Sequence, residues 1–153
     1  MKLAHIFDHH NACAEWTKRE SQDWLTDVFD APEVLIGRSC TGDIRNHVQR
    51  EFENEGWATN VKIDQGLGLT VFALKEDLAF QLQTGNMSRG PYDLLKLQHL
   101  YVEKRIQAAA LALPTKEAAD KISSNVAHAE RICSELEVFS RIITVPIIVV
   151  AFE

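Results

Sequence analysis

In Leu78-Ala79-Phe80-Gln81-Leu82-Gln83-Thr84-Gly85-Asn86, apolar side chains at 78, 80 and 82 share one side of an extended chain. Gln81 and Gln83 share the other side, because residues i and i+2 of a strand point to the same face. Thr84-Gly85-Asn86 stops the strand. Upstream, Lys75-Glu76-Asp77 reads as a hairpin loop leading back to a strand over Leu67–Leu74. Gln65-Gly66 is a turn to a shorter strand, Asn60–Asp64. Downstream, Ser88–Glu103 returns to helical spacing, with Leu94, Leu97, Gln98, Tyr101 and Val102 inward. Gln107–Leu113 is a small-residue strand ended by Pro114, and Thr115 caps a helix from Lys116 to about Glu137, interrupted near Ser123-Ser124-Asn125. Val145–Phe152 is apolar and β-branched, the composition of a central or parallel strand. Ahead of the hairpin, Thr41 or Asp43 caps a helix over 43–55 carrying Ile44, Val48 and Phe52, and Gly56 stops it. Residues 11–29 read as a helix on Trp16, Trp24, Leu25 and Val28, and 30–41 as a loop. The predicted order is α-α-β-β-β-α-β-α-β. That is an α/β protein with a mixed sheet flanked by helices.

The chain has 153 residues, 16 Lys+Arg against 22 Asp+Glu, a formal charge of −6, 46% hydrophobic and 25% charged residues. These values fit one globular domain over 1–153, with 1–41 as an N-terminal helix and loop and 42–153 as the core. The longest apolar run, Val145–Phe152, falls far short of the ~20 residues of a membrane helix. The first residues lack a signal peptide's apolar segment. Cys13, Cys40 and Cys133 form no CxxC pair. Reduced thiols and a cytoplasmic protein are therefore expected. The acidic balance disfavours nucleic-acid binding by bulk charge and leaves it to a local basic patch.

If the hairpin folds as read, Asp64 and the glutamine pair converge at one end of the sheet. An acid on one strand and a polar couple on a facing strand suit a hard divalent cation and its attacking water. Plain alternation, with both glutamines in solvent, satisfies the same spacing.

The run Leu78–Asn86, followed by Ser88-Arg89 and Tyr92-Asp93-Leu94-Leu95-Lys96-Leu97, resembles the BglII-like type II restriction endonucleases. These belong to the nucleases named for a proline–aspartate and an acid–x–lysine signature. The order helix, three strands, helix, strand is similar to that group's core. Leu113-Pro114-Thr115-Lys116-Glu117, the Ser124-Asn125 step and the closing strand look like the family too. The resemblance runs from residue 42 to the end and is most specific over 78–97. It implies a restriction-endonuclease-like fold, double-stranded DNA as partner, and Mg²⁺-dependent hydrolysis at a specific site, with Mn²⁺ as substitute. It also implies a homodimer, since palindromic sites need two-fold readers.

Carried over by position, Asp64 matches the first metal-binding aspartate. Gln81 stands where a metal-binding glutamate is usual, and Gln83 where the family has Gln or Glu. Gln81 is a departure, because a carboxamide lacks the charge on which a hard-cation site relies. It reads as a deliberate loss of activity, a natural one, or a shift of the ligand to Glu76 or Asp77. A nuclease-derived protein that binds DNA or a partner without cutting is the alternative function. Glu51, near His47 on helix 43–55, is an outside candidate for a metal ligand, set against a solvated run Glu51/Glu53/Glu55. Asn86, Ser88 and Arg89 at a helix start, and Ser124 and Asn125 after the next strand, resemble DNA-contacting loops; each also reads as local capping. Lys96, Lys104 and Arg105 read as phosphate contacts or as solvated cations. Asp8-His9-His10 has metal-binding residue types without partner spacing.

Overall fold

The glutamine-bearing stretch is strand β4 (Leu78–Leu82) in a computed structural model that describes residues 1–153. It follows β2 (Ala58–Lys62) and β3 (Thr70–Lys75), and both hairpin pairings, β2 with β3 and β3 with β4, are antiparallel. A two-residue turn at Glu76-Asp77 joins β3 to β4, with Glu76 at φ 50°. Helix α4 (Arg89–Val102) then crosses to β5 (Ala108–Pro114), parallel to β4. A second crossover, α5 (Lys116–Ile122) and α6 (Ala129–Val138), leads to β6 (Ile147–Phe152), parallel to β5. Strands β4, β5 and β6 are buried along their full length, as continuous apolar strands covered on both faces should be.

The N-terminal part departs from expectation. Leu3–His9 forms strand β1, antiparallel to β6, which completes a six-stranded sheet in the order β1-β6-β5-β4-β3-β2. Its outer edge is unpaired and most of its residues are exposed or half-buried, so no apolar alternation announces it. The single helix expected over 11–29 is two short ones, α1 (Ala12–Lys18) and α2 (Gln22–Asp27). The break between them falls at Glu20, whose φ is 55°. Helix α3 (Thr41–Asn54) follows, and Gly56 at φ 81° ends it, a conformation free of cost only for glycine.

Helices α1 to α3 cover one face of the sheet. Trp16, Leu25, Phe29, Ile44, Val48 and Phe52 pack there against Phe72, Phe80 and Phe152. The Trp16 indole N–H donates to the Ala109 carbonyl at 3.1 Å. Helices α4 and α6 cover the other face through Leu94, Leu97, Leu100, Ile132 and Leu136. Val102, expected inward, is 63% exposed. Ala119 and Ile122 of α5 belong to the first layer, whereas Ala129 and Ile132 of α6 belong to the second. The interruption at Ser123-Ser124-Asn125 is therefore where the chain passes from one face of the sheet to the other, over the carboxyl ends of the parallel strands.

Asp8-His9-His10 is structural. The His9 ring meets the Ile143 carbonyl at 2.7 Å and His10 that of Ser140 at 2.7 Å, tying β1 to the segment before β6. Burial pushes the His9 pKa down, as suits a neutral ring. No helix is long and apolar enough to cross a membrane.

Candidate functional site

Strands β3 and β4 pair only as far as Ala73↔Phe80, while β2 and β3 stay paired to Lys62↔Thr70. Beyond Phe80 the two inner strands part. There the Phe72 N–H donates to the side-chain oxygen of Gln81 at 3.0 Å. A cleft of about 370 Å³ opens at this point, lined by Thr70, Phe72, Gln81, Gln83, Arg89 and Asp93, with Arg45 and Lys96 as further walls.

Neither glutamine faces solvent: Gln81 is 9% and Gln83 6% exposed. Leu82 between them points into the opposite layer with Phe80. Both amides turn their NH₂ groups to one carboxylate, Asp93 of α4, which is 2% exposed. Gln81 Nε2 donates to Asp93 Oδ1 at 3.0 Å, and Gln83 Nε2 donates to Asp93 Oδ2. The amide oxygens are occupied as well, Gln81 by Phe72 N–H and Gln83 by Gly85 N–H at 2.7 Å. Lys96 Nζ completes the group, 2.6 Å from Asp93 Oδ1 and 3.0 Å from the Thr70 carbonyl oxygen. No buried side-chain nitrogen or oxygen lacks a partner, which is what a polar network inside an apolar sheet requires.

The other expected ligands lie elsewhere. Asp64 is exposed beyond the end of β2, where its Oδ1 accepts the Leu67 N–H at 2.6 Å and closes a turn; it does not line the cleft. Strand β2 ends at Lys62 and β3 begins only at Thr70, so the segment carrying Asp64 is loop rather than strand. Across the gap from Gln81 stands Phe72. Glu51 lies in a different hollow, with His47, Arg50 and Asp27, and pairs with Arg50 at 3.1 Å. Glu76 and Asp77 occupy the opposite end of β4. Asp77 is clamped there by Arg19, the residue just after α1, whose guanidinium holds the carboxyl below its usual range.

The two loops with expected DNA contacts are brought together. Met87 N–H donates to the Asn125 carbonyl at 2.9 Å, Ala127 N–H to that of Gly85 at 2.8 Å, and Asn86 bridges to Val126. Ser124 and Asn125 are exposed beside this seam. Arg89, also exposed, lines the cleft and the adjoining hollow. Asn86 and Ser88 are engaged locally, since Asn86 Oδ1 accepts both the backbone N–H and the hydroxyl of Ser88. Arg45 reaches the rim from α3, its guanidinium 5.0 Å above the Phe72 ring and donating to Asn60 at 2.9 Å.

Sequence reasoning gave Asp93 and Arg45 no role and left Lys96 open between a phosphate contact and a solvated cation. A signal for the helix residues exists: Arg89, Asp93 and Lys96 stand at i, i+4 and i+7, one face of α4.

A family model described as restriction endonuclease BglII/BglIII matches residues 4–152. The chain belongs to that family. The match begins inside β1, well before the segment over which the sequence resemblance was read. Among solved structures, the crystal structure of the restriction endonuclease BglII complexed with a DNA 16-mer superposes with a TM-score of 0.75 at 14% identity, covering 100% of this chain and 78% of that one. Free BglII gives 0.75 at 13% identity, with 100% and 80% covered. At this identity the likeness carries the fold: a mixed sheet between helical layers. None of the curated proteins matches the chain.

The divalent metal that such a family implies does not fit the donors present. The cleft contains one carboxylate, already accepting from two amides and an ammonium, and both amide oxygens are bound to backbone N–H groups. A hard cation draws on several free oxygen ligands. No group of three or more His, Cys, Asp or Glu side chains in the chain is disposed to hold a metal.

Proposed function

We propose that this BglII/BglIII-family protein binds the sugar–phosphate backbone of double-stranded DNA in the cleft at the end of β4 and does not hydrolyse it with Mg²⁺ or Mn²⁺. One observation carries the reading: the cleft presents three cationic side chains, Arg45, Arg89 and Lys96, against a single carboxylate that already accepts from two amides and an ammonium. Such a lining attracts an anion, and it supplies a local basic patch on a chain of net charge −6. Asn125 and Ser124, on the loop fastened to the cleft's own, are the side chains proposed to reach base edges. BglII, a relative in fold, is seen bound to DNA, which supports duplex DNA as the class of ligand.

In gel retardation, the expected result is a shifted duplex whose affinity falls with salt by about one power per phosphate contact. Plasmid incubated with Mg²⁺ or Mn²⁺ is expected to remain supercoiled. Nicking or linearisation by the chain as it stands overturns the non-cleaving part and returns Gln81 and Gln83, with Asp93 in place of the expected Asp64, to the role of metal and catalytic ligands. That second reading is favoured by one observation, the meeting of Gln81, Gln83 and a buried aspartate at the strand end.

The protein is proposed to act as a homodimer. Leu95 of α4 is 56% exposed, and Phe139 and Ile142 after α6 are 46% and 63% exposed. With Pro91 and Ile143 they line an apolar hollow of about 230 Å³. Sedimentation is expected to give a dimer that Leu95→Asp converts to monomer. A monomeric parent chain refutes this assembly.

A further inference from the structure

The Lys96 side chain is only 11% exposed, and its ammonium is held at two points, Asp93 Oδ1 at 2.6 Å and the Thr70 carbonyl at 3.0 Å. It thereby spans α4 and β3 across the gap where β3 and β4 part. An ammonium has three N–H donors. Two are engaged by Asp93 and Thr70, which leaves one for a ligand, and Lys96 lines both the cleft and the adjoining hollow, with the Tyr92 ring centroid 5.8 Å from its Nζ. The surrounding groups fix what can occupy that space. The amide oxygens of Gln81 and Gln83 each already accept one backbone N–H, and their NH₂ groups each donate to Asp93. An entering cation finds no free carboxylate. An entering anion finds Lys96, Arg45 and Arg89 in the lining.

We propose that Lys96 is a built-in cation that takes a non-bridging oxygen of a DNA phosphodiester at the strand end where the family would place a divalent ion, so that this chain grips the backbone without metal. Asp93 and the two glutamines act as positioning residues that hold the ammonium in place. This rests on the DNA-binding reading above and adds to it both the contact residue and independence from metal.

Anisotropy titration of a labelled duplex, in EDTA and in Mg²⁺ at matched ionic strength, tests it. The parent chain is expected to bind no more weakly in EDTA than in Mg²⁺. Lys96→Met is expected to weaken binding about tenfold or more and to lower the salt slope by about one. Lys96→Arg is expected to retain most of the affinity. The double variant Asp93→Asn/Lys96→Met removes both charges and leaves the cleft's net charge unchanged. It is expected to lose affinity like Lys96→Met, which separates a positioned ammonium from bulk charge and decides the matter if Lys96→Met alone does not fold. Binding that requires Mg²⁺ overturns the proposal. So does a double variant that folds and binds as tightly as the parent, with DNA binding itself left standing. A parent chain that binds no duplex in either buffer removes the DNA-binding reading, and this proposal with it.

Discussion

Asp93→Ala is expected to destabilise the protein by about 3–5 kcal/mol, because truncating one member of a buried charge network leaves its partners without compensation. The carboxylate accepts from Gln81, Gln83 and Lys96 at 2% exposure, so its loss removes the acceptor of two amide NH₂ groups and the counter-charge of a largely buried ammonium together. For a chain of 153 residues this amounts to a fall in melting temperature of roughly 10 °C. Urea unfolding of the parent, Asp93→Ala, and Asp93→Ala/Lys96→Met measures it. The double variant should recover part of the loss, since no ammonium is then left without its counter-charge. A single variant within about 0.5 kcal/mol of the parent, the ordinary range of a surface change, shows that the network contributes nothing.

Gln81→Glu replaces a donor 3.0 Å from Asp93 Oδ1 with a second carboxyl. Two carboxylates sharing one site raise a pKa by one to several units, at about 1.4 kcal/mol per unit. The variant is therefore expected to lose about 2–4 kcal/mol at neutral pH. The sign follows from linkage. The introduced carboxyl has a folded-state pKa above its unfolded value, so the deficit is small below the ordinary glutamate range and grows as pH rises through the raised value. The same substitution supplies the second carboxylate that a hard cation needs. Mg²⁺ or Mn²⁺ is expected to raise the melting temperature of Gln81→Glu and to leave that of the parent unmoved. Thermal melts over a range of pH, with and without metal, give both readouts. A parent melting point that climbs with Mn²⁺ as far as the variant's means that the cleft already holds the ion.

The central sheet was legible because its strands obey simple rules. Leu78–Gln83 ends at the breaker Thr84-Gly85-Asn86, Ile147–Phe152 is an unbroken apolar run that starts directly after Pro146, and the Ser123-Ser124-Asn125 interruption marks a real change of layer. The sharing of one face by Gln81 and Gln83 followed from period two alone. What that face meets did not, because it depends on how α4 docks. The apolar stripe of Leu94 and Leu97 describes the buried side of α4 and draws notice from its polar flank, where Arg89, Asp93 and Lys96 line up. The N-terminal strand escaped notice because an edge strand with one paired side need not alternate. The register of the hairpin failed for a different reason. Leu67 and Leu69 look like strand residues, yet Leu67 is 79% exposed in a loop between Gly66 and Gly68. Reading them into β3 brought Asp64 onto a strand that stops short of it, and hid Phe72 as the residue facing Gln81.

The seam joining residues 85–87 to 125–127 has an implication for how such a protein changes its preferences. Two segments some forty positions apart in the chain are laced by backbone hydrogen bonds, so neither can be lengthened, shortened or exchanged without dragging the other along. One of them leads directly out of the strand that carries the glutamines. On the DNA-binding reading proposed above, transplanting a single loop from a relative would disturb its partner loop as well, and new contacts would have to arrive as matched pairs of loops.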